Sequence, residues 1–219
     1  MTWLQNLILA EPAGVRKVDH YITVTPAGAK LAILAGAFNP PTRAHLAMAE
    51  AALSVVDEVL FALPRAFPHK EYTGWEFETR LALLRAALAG NPRFSLASTE
   101  GGLFVKIAEE ARSVYGAGTE LFLLCGRDTA ERIVGWDYGD GDSIQKQLES
   151  FKLLVGRRGG EYEPPAGIRN RVRLLDLPPG LDEVSSSELR RRMQAGEPWR
   201  HLAPESIVHL IEQPPLSIE

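Results

Sequence analysis

The chain has 219 residues, 45% of them hydrophobic, and a formal net charge of −4. That length and apolar fraction suit a single packed domain over residues 1–219, while the acidic balance argues against a nucleic acid polymer held by bulk phosphate neutralisation. The lone cysteine, Cys125, excludes an internal disulfide, and no apolar stretch approaches the ~20 residues of a membrane helix, so a cytoplasmic protein with no membrane partner is expected.

Residues 1–29 form an N-terminal extension in which 2–9 suit a short helix and 20–25 (HYITVT) a strand; it reads as an edge strand or a packing arm. An apolar run over 31–35 ends in Gly36 and predicts a buried strand, and Thr42 opens an Ala-rich helical pattern over 43–56. A strand over 58–63 (EVLFAL) is closed by Pro64, and the loop RAFPHKEYTGW leads to a helix over 76–88 that ends at Gly90-Asn91-Pro92. Then come a strand over 94–97, a helix over 104–115, and a third core strand over 120–125 that again ends in glycine, Gly126. A helix over 128–134, a second over 144–150, a strand over 151–155 and a strand over 172–177 follow. The C-terminal segment, 184–219, holds two helices, starting at Ser185 or Ser186 and near Pro204. Strands alternating with helices predict an α/β fold: a Rossmann-like, doubly wound, mostly parallel sheet with helices on both faces. Such a sheet gathers ligands at the carboxyl ends of its strands.

The first strand–helix junction, Gly36 to His45 (GAFNPPTRAH), is neither a Walker A loop nor a dinucleotide GxGxxG. A helix N-terminus leaves backbone N–H groups unpaired and partly positive, which suits an anion. Gly36 permits close approach of a ligand, and Thr42 as N-cap puts His45 in the first turn, able to donate to a phosphate. Alone, the stretch reads equally as an ordinary connection carrying a surface histidine. Ser185 and Glu188 have capping-box spacing, and Arg190 lies where its fork can reach back along the helix face. Arg191 and Arg192 point elsewhere and are read as solvated. Asp128 is either a helix cap after a buried strand or a ligand contact, Trp136 stacks on a ring or covers the core, and Arg157 and Arg158 reach phosphate or sit in a solvated loop. No Cys or His cluster has metal-ligand spacing, and no Gly-x-Ser-x-Gly elbow is present.

GAFNPPTRAH resembles the G-x-F-[DN]-P-x-[HT]-x-G-H signature of the adenylyl- and cytidylyltransferases, especially the nicotinate or nicotinamide mononucleotide adenylyltransferases. Thr42 stands at its first histidine, as in some of those enzymes, and Ala44 at its glycine. Ser185-Ser186-Ser187-Glu188-Leu189-Arg190 after Val184 is similar to the family's Ser-Ser-Thr-x-x-Arg, Pro68-His69-Lys70 to its PHK, Gly126-Arg127-Asp128 to its Gly-x-Asp, and Trp136 to a tryptophan shortly beyond. The resemblance implies transfer of the adenylyl group of ATP to a pyridine mononucleotide. It places His45, Thr42, Arg190 and Lys70 at the reacting phosphates. ATP would lie on Gly36, Ala37, Phe38, Gly126, Asp128, Ser186 and Ser187, and the mononucleotide on Asn39 and Trp136. Mg²⁺ is expected with ATP, held mostly by phosphates and water. Two rivals share these motifs: a related transferase with another acceptor or CTP, and a nucleotide-binding module without catalysis. The second is motivated by Thr42, Ala44 and the run Leu103-Phe104-Val105-Lys106 after the Gly-Gly pair, where family members carry small polar residues.

Overall fold

A computed structural model describes residues 29–65, 74–100, 104–135, 143–157, 160 and 162–212. The expected helix over 2–9 and strand over 20–25 lie outside the described residues. Among the described residues six strands, β1 (Lys30–Ala35), β2 (Glu58–Pro64), β3 (Phe94–Thr99), β4 (Glu120–Gly126), β5 (Lys152–Arg157) and β6 (Val172–Asp176), make one sheet in the order β3-β2-β1-β4-β5-β6. Every pairing is parallel. The helices are α1 (Arg43–Ala52), α2 (Phe77–Leu88), α3 (Phe104–Tyr115), α4 (Arg127–Val134), α5 (Ile144–Ser150), α6 (Ser186–Ala195) and α7 (Glu205–Glu212).

The near-continuous apolar strands are those of a sheet covered on both sides. Leu31, Ile33, Leu121, Leu123, Leu153 and Val155 face one cluster with Ile107 and Ala111 of α3, Ile133 of α4 and Leu148 of α5. Ala32, Leu34, Phe61, Leu63, Phe122 and Leu124 face the other, with Met48 and Ala52 of α1 and Leu81, Leu84 and Leu88 of α2. A third cluster joins Ala44 of α1 and Leu83 of α2 to Val184, Leu189 of α6 and Ile207 of α7, so the C-terminal helices pack on the outside of α1 and α2. Cys125 is buried in the first cluster, where burial alone pushes its thiol up to about 12, as fits a core residue.

The strand order reverses between β1 and β4, which opens a crevice at their carboxyl ends. Gly36 and Gly126 stand there, one at the end of each strand. At the opposite end of the sheet the buried Glu58 accepts hydrogen bonds from Ser95 Oγ and Tyr115 Oη, well away from the crevice.

Several element boundaries shift by a residue or more from expectation, and three differences have a local cause. Helix α1 stops at Ala52 rather than 56, because Ser54 Oγ donates to Ala51 O and Val55 N–H to Ala52 O, a tighter turn. Val56 is nonetheless buried, which is why the apolar spacing runs on past the helix end. Strand β2 includes Pro64, paired with Thr99 at the strand terminus, a position where the missing N–H is tolerated. Short 3₁₀ turns over Ala166–Arg171 and Arg200–Leu202 carry no periodicity long enough to be expected.

Candidate active site

The loop between β1 and α1 is held in one conformation from several sides. Gly36 N–H donates to Ala62 O, continuing the β1–β2 ladder, so that amide belongs to the sheet. A Cβ on Gly36 would lie 3.4 Å from the Phe38 ring, an ordinary contact, and one on Gly126 would meet no described atom within 4 Å. Neither glycine is demanded by packing among the described residues; both leave room for a ligand against the backbone. Phe38 adopts φ 45°, a left-handed value rare for an aromatic residue, and the Asn39–Pro40 bond is cis. Burial of the Phe38 ring against His45, at 5.1 Å and nearly perpendicular, and against Phe61, at 5.7 Å, holds this strained backbone.

Thr42 caps α1 from an extended backbone, and its N–H donates to His45 Nδ1 at 2.9 Å. This is a capping box with histidine in the place usually taken by Glu or Gln. Because Nδ1 accepts that bond, the neutral ring carries its proton on Nε2. Thr42 Oγ1 lies 2.9 Å from the same nitrogen and Thr42 is fully buried, so its hydroxyl acts on His45 rather than reaching a phosphate directly.

The second motif grips the first. Ser185 caps α6, its Oγ accepting from Glu188 N–H at 3.1 Å, and Ser186 Oγ donates to Pro40 O at 2.7 Å. Arg190 Nη1 donates to Asn39 O at 2.5 Å and to Ser186 O at 3.3 Å. The arginine expected at the phosphates is thus also a strut under the loop. Ser187 and Arg190 line a recess of about 470 Å³ with Gly74, Trp75, Arg191 and Gln194. Arg191 is exposed, as expected, and Arg192 half-buried; both pair with Glu188, and Arg191 also with Glu197. Those arginines hold the Glu188 carboxyl down to about 2.

The other side of the crevice is built around the start of α4. Gly126, not Asp128, is the N-cap of α4, without a side-chain cap. Asp128 therefore sits in the first turn, its side chain 75% exposed and its Oδ1 3.6 Å from Arg127 Nε. There it complements the helix dipole and stands at the crevice rim. Lys70 and Trp136 lie outside the described residues, as does Arg158. Arg157 pairs with Asp176 on β6.

Two contributors escaped the sequence reading. Arg80 is buried on α2 and donates through Nη1 to Ala37 O at 2.9 Å and through Nε to Trp75 O at 3.1 Å. Its signal was a charge on the apolar stripe of a helix, in line with Leu84 and Leu88. The Gly74–Trp75 segment packs on Asn39: Trp75 N–H donates to Asn39 Oδ1 at 3.2 Å, and a Cβ on Gly74 would fall 1.9 Å from Asn39 Nδ2. Asn39, expected at the mononucleotide, is buried with its carboxamide oxygen engaged by Trp75.

Among the described residues no helix is long and apolar enough to cross a membrane. Residues 33–192 match the family model described as cytidylyltransferase-like. A probable nicotinate-nucleotide adenylyltransferase of Exiguobacterium sibiricum is 33% identical over 192 residues, spanning 84% of this chain and 96% of its own. Another, of Citrifermentans bemidjiense, is 29% identical over 217 residues, spanning 87% and 99%. The fold is shared with the Plasmodium falciparum nicotinic acid mononucleotide adenylyltransferase solved in complex with NaAD, at a TM-score of 0.64 and 16% identity over 84% of this chain and 95% of that one. By the family match over residues 33–192 and by these relatives, the chain belongs to the cytidylyltransferase-like family, among its nicotinate-nucleotide adenylyltransferases.

Proposed function

We propose that the protein joins ATP and nicotinate mononucleotide, or its amide form, into the dinucleotide with release of pyrophosphate, a step of NAD synthesis. The observation that carries this reading is the union of the two motifs: Ser186 and Arg190 hold the carbonyls of Pro40 and Asn39, directly under the loop that His45 caps.

An oxygen of the mononucleotide 5′-phosphate attacks the α-phosphorus of ATP. The new P–O bond forms as the bond to the bridging oxygen breaks, and pyrophosphate leaves. An ionised phosphate needs no general base, so the protein's part is positioning and stabilisation of charge on the transferred group. His45 Nε2–H donates to a phosphate oxygen, with the N-terminus of α1 and the Phe38 amide beside it. Ser187 and Arg190 take the β- and γ-phosphates from the recess they line, Ser186 supports them through the loop, and Asp128 meets the ATP ribose. Lys70 and Trp136 keep the roles implied by the motif match, at the incoming phosphate and the pyridine ring. In this reading Mg²⁺ accompanies ATP, held mostly by the phosphates and water. A cytoplasmic setting, where ATP is at hand, belongs to the same reading.

Purified protein with Mg²⁺, ATP or CTP, and a panel of phosphate acceptors tests it by pyrophosphate release. Turnover is expected with ATP and a pyridine mononucleotide. Turnover only with CTP, or ATP binding with silence across the panel, overturns the proposal in favour of a cytidylyl transfer or a binding module.

A further inference from the structure

Arg80 is 2% exposed, on the same stripe of α2 as Leu84 and Leu88. A guanidinium is expensive to bury unless its N–H groups find acceptors, and an apolar side chain would seal this face at least as well. What an apolar residue lacks is a direction. Arg80 Nη1 draws the Ala37 carbonyl toward α2, at 2.9 Å. The 37–38 peptide is trans, so its C=O and N–H point to opposite sides, and the Phe38 N–H turns away from α2. Phe38 itself sits at φ 45°, a conformation the chain would leave without support. Arg80 Nε also holds Trp75 O, while Trp75 N–H is held by Asn39 Oδ1. Both backbone groups of Trp75 are therefore tied, one to Asn39 and the other through Arg80 to Ala37, and the entrance to α2 and the loop form one hydrogen-bonded unit.

We propose that Arg80 is a positioning residue of the transfer site: by pinning the Ala37 carbonyl it aims the Phe38 amide at the anion seated on the β1–α1 junction. The inference rests on the transferase reading above for its kinetic part, and on anion binding alone for its spectroscopic part. Arg80→Lys keeps the charge but loses the fork that reaches two carbonyls at once. The variant is to be compared with wild type by melting temperature, by kcat and KM for ATP, and by the amide resonance of Phe38 with and without ATP. The expected result is a folded variant melting within a few degrees of wild type, with kcat lower by about tenfold or more and KM for ATP within about threefold. In wild type the Phe38 amide moves downfield on ATP binding, and in Arg80→Lys that movement shrinks. A folded Arg80→Lys with kcat within about twofold of wild type overturns the proposal, as does a Phe38 amide in wild type that ignores bound ATP. The second criterion needs no variant, so a failure of Arg80→Lys to fold does not shield the idea. Wild type that moves Phe38 with ATP but turns nothing over overturns the transferase reading and supports the aim of the amide.

Discussion

The two sides of the crevice are built differently. At the end of β1 the loop is fixed by four separate elements: α1 through the Thr42–His45 cap, α2 through Arg80, the Gly74–Trp75 segment through Asn39, and α6 through Ser186 and Arg190. At the end of β4, Gly126 opens α4 with no side-chain cap, and Asp128 stands 75% exposed. Donors aimed at developing charge accelerate a reaction only if they need no rearrangement at the moment of transfer. Recognition of a sugar can tolerate a side chain that settles when the ligand arrives. Under the proposed function, the transferred phosphate belongs on the β1 side, where the loop is tied, and the nucleoside on the β4 side.

The strongest test of the β1 side is His45→Ala. Losing one such donor is expected to lower kcat by about 100- to 1000-fold, with a much smaller change in the affinity for ATP. The same change removes the acceptor for Thr42 N–H, at a stability loss of about 1 kcal/mol. His45→Gln separates the two effects, because glutamine is an ordinary capping-box partner. It should recover the melting temperature without recovering turnover. Equal losses of turnover and ATP affinity in His45→Ala would reduce His45 to a binding residue.

Arg190→Met comes next. It removes charged hydrogen bonds to Asn39 O and Ser186 O from a half-buried side chain, about 1–3 kcal/mol by the usual worth of such bonds. At about 2–4 °C per kcal/mol for a chain of this size, a fall in melting temperature of several degrees is expected. Competition by pyrophosphate distinguishes the roles: if Arg190 also meets the β- and γ-phosphates, inhibition weakens about tenfold or more, and if it is a strut alone, inhibition is unchanged.

The sheet was legible because its signals are local. Apolar runs such as EVLFAL and LFLLC, glycines at their ends and capping serines each fix an element within a few residues. The loop and α6 were legible for the same reason, and the match between motifs stood in for their contact in space. What could not be read was anything created by that contact. Asn39 reads as a polar loop residue facing a ligand, but the approach of Gly74 and Trp75, 35 residues or more along the chain, takes its side chain into the interior. Thr42 reads as a phosphate contact, but the helix it starts turns His45 back onto it. Arg191 and Arg192 read as solvated, which holds for the exposed Arg191, but their ion pairs arise only when the turn after α6 brings Glu197 to Arg191 and the helix brings Glu188 to both. Long-range packing, not local chemistry, decides where these polar groups spend their hydrogen bonds.

The smallest effect is expected on the β4 side. Asp128→Asn changes an exposed carboxylate in the first turn of α4, where a surface substitution alters stability within about ±0.5 kcal/mol. If the carboxylate accepts from the ATP ribose, its loss removes one charged hydrogen bond and raises KM for ATP by about tenfold. If the transferred phosphate is held by the other side, as proposed, kcat should stay within a few-fold of wild type. The result then mirrors that of His45→Ala, one variant read in KM and the other in kcat. Should Asp128→Asn instead lower kcat as far as His45→Ala does, the division of labour across the crevice fails, because the exposed carboxylate would be acting on the reacting group itself.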